Sequence, residues 1–175
     1  MVNKERFLSI LKTVQRKGIN DLISYLESTS FFSDNKDFNE TSDHCLQVYD
    51  LMMMLNKLLD ARINQESLII VSLLHDVCKI KEEAQFICGH GEKSVFILQR
   101  YINLTNEEIM AINTHLGEDD LRATDYKGFS ECFDKFPICL LLHCADTLAA
   151  SYLCYKDCNI TKRFEMLSTI LESIE

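Results

Sequence analysis

His75 and Asp76 follow directly on the apolar run Leu68-Ile69-Ile70-Val71-Ser72-Leu73-Leu74, so an imidazole and a carboxylate project together from the end of a segment that reads as a buried helix. Burying such a pair costs on the order of several kcal/mol unless hydrogen bonds, a counter-charge or a cation offset it. The chain carries further groups of the same kind: His44 before the pair, and His90, His115 and Asp146 after it. Together they make four imidazoles and two carboxylates. That donor set suits Mn, Fe, Co, Ni or Zn better than Mg, which prefers oxygen ligands. One inward histidine is more often a hydrogen-bonded core residue than a ligand, so the weight rests on the ordered set.

The elements that must position these groups are helices. One proline and five glycines interrupt 175 residues, and apolar positions recur at helical rather than alternating spacing. The sequence predicts a helical hairpin from Lys4–Gln15 and Ile19–Ser28 around Gly18, then a polar loop at Ser33–Glu40. Thr41 or Ser42 caps the next helix, on which His44, Val48, Leu51, Leu55 and Leu58 share a face. Asn64 caps the apolar helix leading to Asp76. Gly89-His90-Gly91 reads as a turn opening a helix from about Glu92 to Ile102, which puts His90 at a helix start. Thr105 and Glu108 form a capping box ahead of Ile109, Ile112 and an inward His115.

The stretch Glu118–Lys135 reads as a polar loop bordering an entrance. Pro137 suits the first turn of a long helix whose stripe is Ile138, Leu142, Ala145, Asp146, Ala149 and Leu153. A last amphipathic helix, about Lys162–Ile174, is a packing element. The expectation is one all-α domain spanning 1–175, with its metal-binding core at about 41–155 and the N-terminal hairpin and C-terminal helix packed on it.

Composition narrows the functions. With 47% hydrophobic and 26% charged residues the chain is ordinary for a globular domain. No apolar run approaches the roughly 20 residues of a membrane span, and the amphipathic N-terminus is unlike a signal peptide, so a cytoplasmic, membrane-free protein is expected. The net charge of −9 disfavours broad nucleic-acid binding. It leaves room for a small anion, because bound cations would reverse the local field. Eight cysteines include no C-x-x-C pair. Reduced thiols packed as small hydrophobes are expected. Cys45, Cys78 and Cys144 neighbour candidate ligands in sequence but should point about 100 degrees away from them on a helix. Cys154 and Cys158 lack a partner pair at finger-like spacing. Nothing in the sequence indicates an oligomeric state.

The order H…HD…H…H…D, with Lys79 completing the run HDVCK, resembles the HD-domain superfamily of metal-dependent phosphohydrolases. The resemblance spans His44 to Ala149, and the stretches LLHDVCKI, GHGEKS and HLG are similar to small stand-alone HD-family hydrolases. It implies a compact α-helical bundle. It also implies a one- or two-metal site in which His44, His75, Asp76 and Asp146 hold the first ion, Asp76 bridges to a second, and His90 and His115 complete the second site. The implied reaction is hydrolysis of a phosphomonoester or phosphodiester, a nucleotide among the candidates, with Asp76 and Lys79 in the catalytic machinery. Lys79 could meet a substrate phosphate. Lys93 could do so beside free helix N–H groups, or be a solvated surface lysine. His143, three residues before Asp146, is either a supporting residue that orients Asp146 or a bound water, or a satisfied core histidine. The same ligand order occurs in HD-type mixed-valent diiron oxygenases, and a non-catalytic metal- or nucleotide-binding module is a third alternative. The G-Y-P extension typical of cyclic dinucleotide phosphodiesterases is absent.

Overall fold

The computed structural model describes residues 2–32, 41–83, 89–117 and 126–153. They form eight α-helices: α1 (Val2–Leu11), α2 (Ile19–Ser28), α3 (Thr41–Leu58), α4 (Gln65–Leu74), α5 (His90–Leu98), α6 (Asn106–Thr114), α7 (Tyr126–Lys135) and α8 (Pro137–Leu148). Short 3-10 turns follow at Ser30–Phe32, Val77–Lys79 and Lys81–Glu83, and α8 runs on as a π-helical turn, Ala149–Leu153. No strand occurs among the described residues. The chain is all-α, as its spacing predicts.

Helix α4 is the axis. Asn64 Oδ1 accepts the N–H groups of Glu66 and Ser67, satisfying two donors that a helix start leaves orphaned. From Ser67 to Leu74 every residue is buried, so the helix is covered on all sides. Its neighbours are α1, α3, α6 and α8, while α5 lies against α6 and the turn Val77–Lys79. Burying one such leucine or isoleucine stabilises the fold by about 1.5–3 kcal/mol, and α4 supplies several at once.

Polar groups lock this arrangement. Glu108, fully buried, closes the capping box of α6 by accepting the Thr105 N–H at 2.8 Å. It also accepts two bonds from the Arg16 guanidinium, at 2.6 and 3.0 Å, and one from Ser67 Oγ at 2.7 Å. One carboxylate therefore ties the α1–α2 connection to α4 and α6. Nothing in the linear sequence announces this clamp, because its partners lie 92 and 41 positions away.

Several boundaries differ from expectation. Helix α1 ends at Leu11, not Gln15. Helix α3 already includes Thr41, so Ser42 is an internal, buried residue and not a cap, and Leu58 at the far end of the His44 face is exposed. Helix α5 starts at His90 and ends at Leu98. The segment Tyr126–Lys135 is a helix, not a loop: Tyr126, Phe129 and Phe133 recur at helical spacing in the sequence, and buried Cys132 packs toward α8. The loop expected at 33–40, residues 118–125 of the loop expected at 118–135, the helix expected at 162–174, and Cys154 and Cys158 lie outside the described residues.

Candidate metal centre

The end of α4 sets the site. His75 closes that helix with αR backbone angles, and Asp76 then turns at φ −103°, ψ 16°, a region where active-site residues often sit. Both side chains are buried, at 0% and 2% exposure. Helix α3 brings His44, α5 brings His90 at its first residue, His115 caps the end of α6, and α8 brings Asp146. All six candidate ligands converge.

The Asp76 carboxylate divides them. Its Oδ2 lies 3.7 Å from His44 Nε2 and 3.6 Å from His75 Nε2. Asp146 Oδ1 completes that side, accepting the His44 Nε2–H at 2.8 Å and standing 3.6 Å from His75 Nε2. Asp76 Oδ1 faces the other way, accepting the His90 Nε2–H at 2.6 Å with His115 Nε2 at 3.9 Å. The rings make a continuous series, with centroids 5.5 Å apart for His44–His75, 5.0 Å for His75–His115 and 5.6 Å for His90–His115.

The tautomers of the two deepest imidazoles follow from their hydrogen bonds. His75 Nδ1 lies 2.9 Å from the Ser72 carbonyl and His115 Nδ1 lies 2.6 Å from the Ile112 carbonyl; a carbonyl can only accept, so both Nδ1 atoms carry the proton. In the neutral rings the Nε2 atoms are then the donors of electron pairs, and both are buried without a hydrogen-bond partner. Orphaned buried polar atoms are uncommon, and each calls for an explanation. Two lone pairs aimed at one carboxylate fit a cation. Backbone carbonyls are among the outer partners that commonly orient a histidine able to bind a metal.

The charges are strongly coupled. Burial pushes the Asp76 carboxyl up, but the surrounding His75, His90, Lys79 and His115 hold it well below the usual carboxylate range. Asp146 is likewise held low despite its burial, by the hydrogen bond from His44 and the charge of His75. His90, hydrogen-bonded to Asp76, is pushed up to about 10, while burial and the neighbouring charge of His75 pull His115 down to about 4. Burial lowers His75, and the negative charges of Asp76 and Asp146 raise it by more. Three groups of side chains are arranged closely enough to hold a metal ion: His44, His75 and Asp76; His75, His115 and Asp146; Asp76, Cys78 and His90.

A sequence model of the HD domain matches residues 41–146, a span that begins at α3 and ends on Asp146. The chain belongs to the HD domain family. This superfamily is one of metal-dependent phosphohydrolases, and the side chains gathered here are of the kind that can bind a divalent metal. No curated protein and no solved structure gives a significant match.

Around the ligand set of this HD domain, the remaining sequence candidates separate. Lys79 donates its ammonium to Asp76 Oδ2 and belongs to the cluster. Lys93 is half-buried on α5; its charge bears on Glu83, and no contact among the described residues ties it to the six ligands. His143 donates Nδ1–H to the His115 carbonyl at 2.7 Å and stacks on Phe133, so it braces the end of α6 and does not bond Asp146. Gly117 makes room for that ring: its φ is +56°, and a Cβ there would lie 2.5 Å from His143 Cε1. Gly91 similarly allows α5 to approach α6, since a Cβ would lie 2.4 Å from the Ile112 carbonyl oxygen. That contact fixes His90 against His115.

Cys78 corrects the sequence reading. The expected 100-degree rotation assumes an α-helix, but the chain leaves α4 at His75 and continues as the 3-10 turn Val77–Lys79. The thiol is thereby brought to Asp76 and His90. Cys45 and Cys144 do pack or face solvent without joining a ligand group among the described residues.

Proposed function

We propose that this HD domain hydrolyses a small phosphomonoester or phosphodiester, with nucleotides within the candidate class, at a site for two divalent cations that share Asp76. The observation that carries the reading is the partition of that carboxylate, with His44 and His75 on one oxygen and His90 and His115 on the other. His44, His75 and Asp146 would hold the first cation and His90 and His115 the second. Bound there, divalent cations supply a water made acidic enough, with a pKa of about 7, to serve as hydroxide at neutral pH.

The chain's own groups then bind and position. The backbone carbonyls of Ser72 and Ile112 keep His75 and His115 in the tautomer that presents Nε2. Lys79, with its side chain 46% exposed, is long enough to leave Asp76 and meet a phosphoryl oxygen, neutralising charge as a point cation. Apolar residues of α4, from Leu68 to Leu74, hold the ligand pair in a dry, rigid wall. The imidazole-rich donor set favours Mn, Fe, Co, Ni or Zn.

Elemental analysis of purified protein followed by a phosphatase and nucleotide panel with Mn, Co, Ni and Mg tests this. Phosphate release that needs one of the imidazole-binding metals is expected. Oxygen consumption by an iron-loaded form without phosphate release would transfer the site to oxygenase chemistry. Tight metal binding with neither activity would leave a binding module.

A further inference from the structure

The turn Val77–Lys79 sends two neighbouring side chains to Asp76. Lys79 donates to Oδ2, whereas the Cys78 thiol gathers with Asp76 and His90, whose Nε2 donates to Oδ1. Cys78 is 5% exposed, and its position is built: its backbone N–H donates to Ser94 Oγ at 3.2 Å, and Ser94 is fully buried on α5, one turn beyond His90. The helix that aims the imidazole therefore also anchors the thiol. A second, independent feature points to the same place. His115 Nε2, 1% exposed and without a hydrogen-bond partner, is 3.9 Å from the same Asp76 oxygen.

We propose that Cys78 is a sulfur ligand of the second cation, alongside His90, His115 and Asp76, and that it biases this site toward thiophilic ions such as Zn and Co over Mn and Mg. The inference rests on the metal-centre reading above and deepens it by naming a fourth donor. A thiolate gathered with the His90 imidazole and an Asp76 carboxylate oxygen, and with the His115 Nε2 3.9 Å from Asp76 Oδ1, gives a donor set of mixed softness, which zinc and cobalt accept and magnesium does not. Among the described residues the first cation's side gathers no sulfur, so the two positions differ in chemistry: an oxygen- and nitrogen-lined site near Lys79, and a sulfur-containing one toward α5.

Cobalt titration of the full chain is the test, read by absorption. Wild type should take up cobalt with a near-ultraviolet thiolate-to-cobalt charge-transfer band as well as weaker visible bands. Cys78→Ser should lose the charge-transfer band while keeping visible cobalt bands, and its preference for zinc over manganese should fall about tenfold or more, the scale on which changes around a metal act. Cys45→Ser and Cys144→Ser, the first buried in the core near the site and the second exposed, should keep the band. A charge-transfer band that survives in Cys78→Ser overturns the assignment, as does its absence from wild type with cobalt bound. Failure of wild type to bind cobalt, zinc or manganese at all would remove the metal centre itself, an outcome distinct from loss of the sulfur ligand alone.

Discussion

Replacing Asp76 with Asn keeps the side chain's shape and removes its charge, and it should empty both metal positions together. Among the described residues Asp76 is the one carboxylate in contact range of all four site imidazoles, at 3.7 and 3.6 Å on Oδ2 and at 2.6 and 3.9 Å on Oδ1. A ligand at 1,000 times its Kd stabilises the folded state by about 4.1 kcal/mol. For a chain of this size each kcal/mol shifts Tm by about 2–4 °C, so one occupied site should raise it by about 8–16 °C. If the substitution weakens a site about 10,000-fold, the same metal concentration is about 0.1 Kd, the site is largely empty, the gain falls below about 0.1 kcal/mol, and the shift all but vanishes. The metal-free variant should stay folded by circular dichroism, since Lys79, left without its partner, can turn to water. Thermal melts with and without metal, together with elemental analysis, give the readout. His44→Ala should lose one ion and keep the second, and His90→Ala should do the reverse. Full metal content in Asp76→Asn, or loss of one ion alone, would refute the shared-carboxylate geometry.

Other perturbations test the scaffold. Glu108→Gln removes the nearer, fully buried carboxylate facing Arg16 and leaves only Glu66 at 3.9 Å among the described residues, and it should destabilise by about 1.5–3 kcal/mol near neutral pH, measured by urea denaturation. Burial raises the Glu108 pKa, but Arg16, Thr105 and Ser67 together hold it below the usual value, so its contribution is present above the unfolded-state pKa of about 4.3 and is lost as pH falls through the folded value. The gap between wild type and Glu108→Gln should therefore close in acid; a constant gap would mean the charge is not the cause. Gly91→Ala must push α5 off α6, moving His90 away from His115, and should reduce metal content to one ion per chain with a fold that still melts cooperatively. Unchanged content would show that the close approach does not set the second position. Leu74→Ala opens a cavity in the wall behind His75 and should cost about 2–5 kcal/mol in denaturation experiments.

The sequence by itself determined the helical class, the Asn64 cap, the Thr105–Glu108 box, Pro137 at the start of α8 and the identity of the six candidate ligands, because each depends on residue type and on spacing along one element. Tertiary structure decided the rest. Which oxygen of Asp76 faces which imidazole, the bracing of His115 by His143 and the Arg16–Glu108 clamp all depend on how separate helices cross, a quantity that periodicity along one helix does not contain. Cys78 shows the physical reason most directly: the backbone breaks from the α-helix at Asp76, at φ −103° and ψ 16°, and one thiol moves from the expected packing position to the ligand cluster.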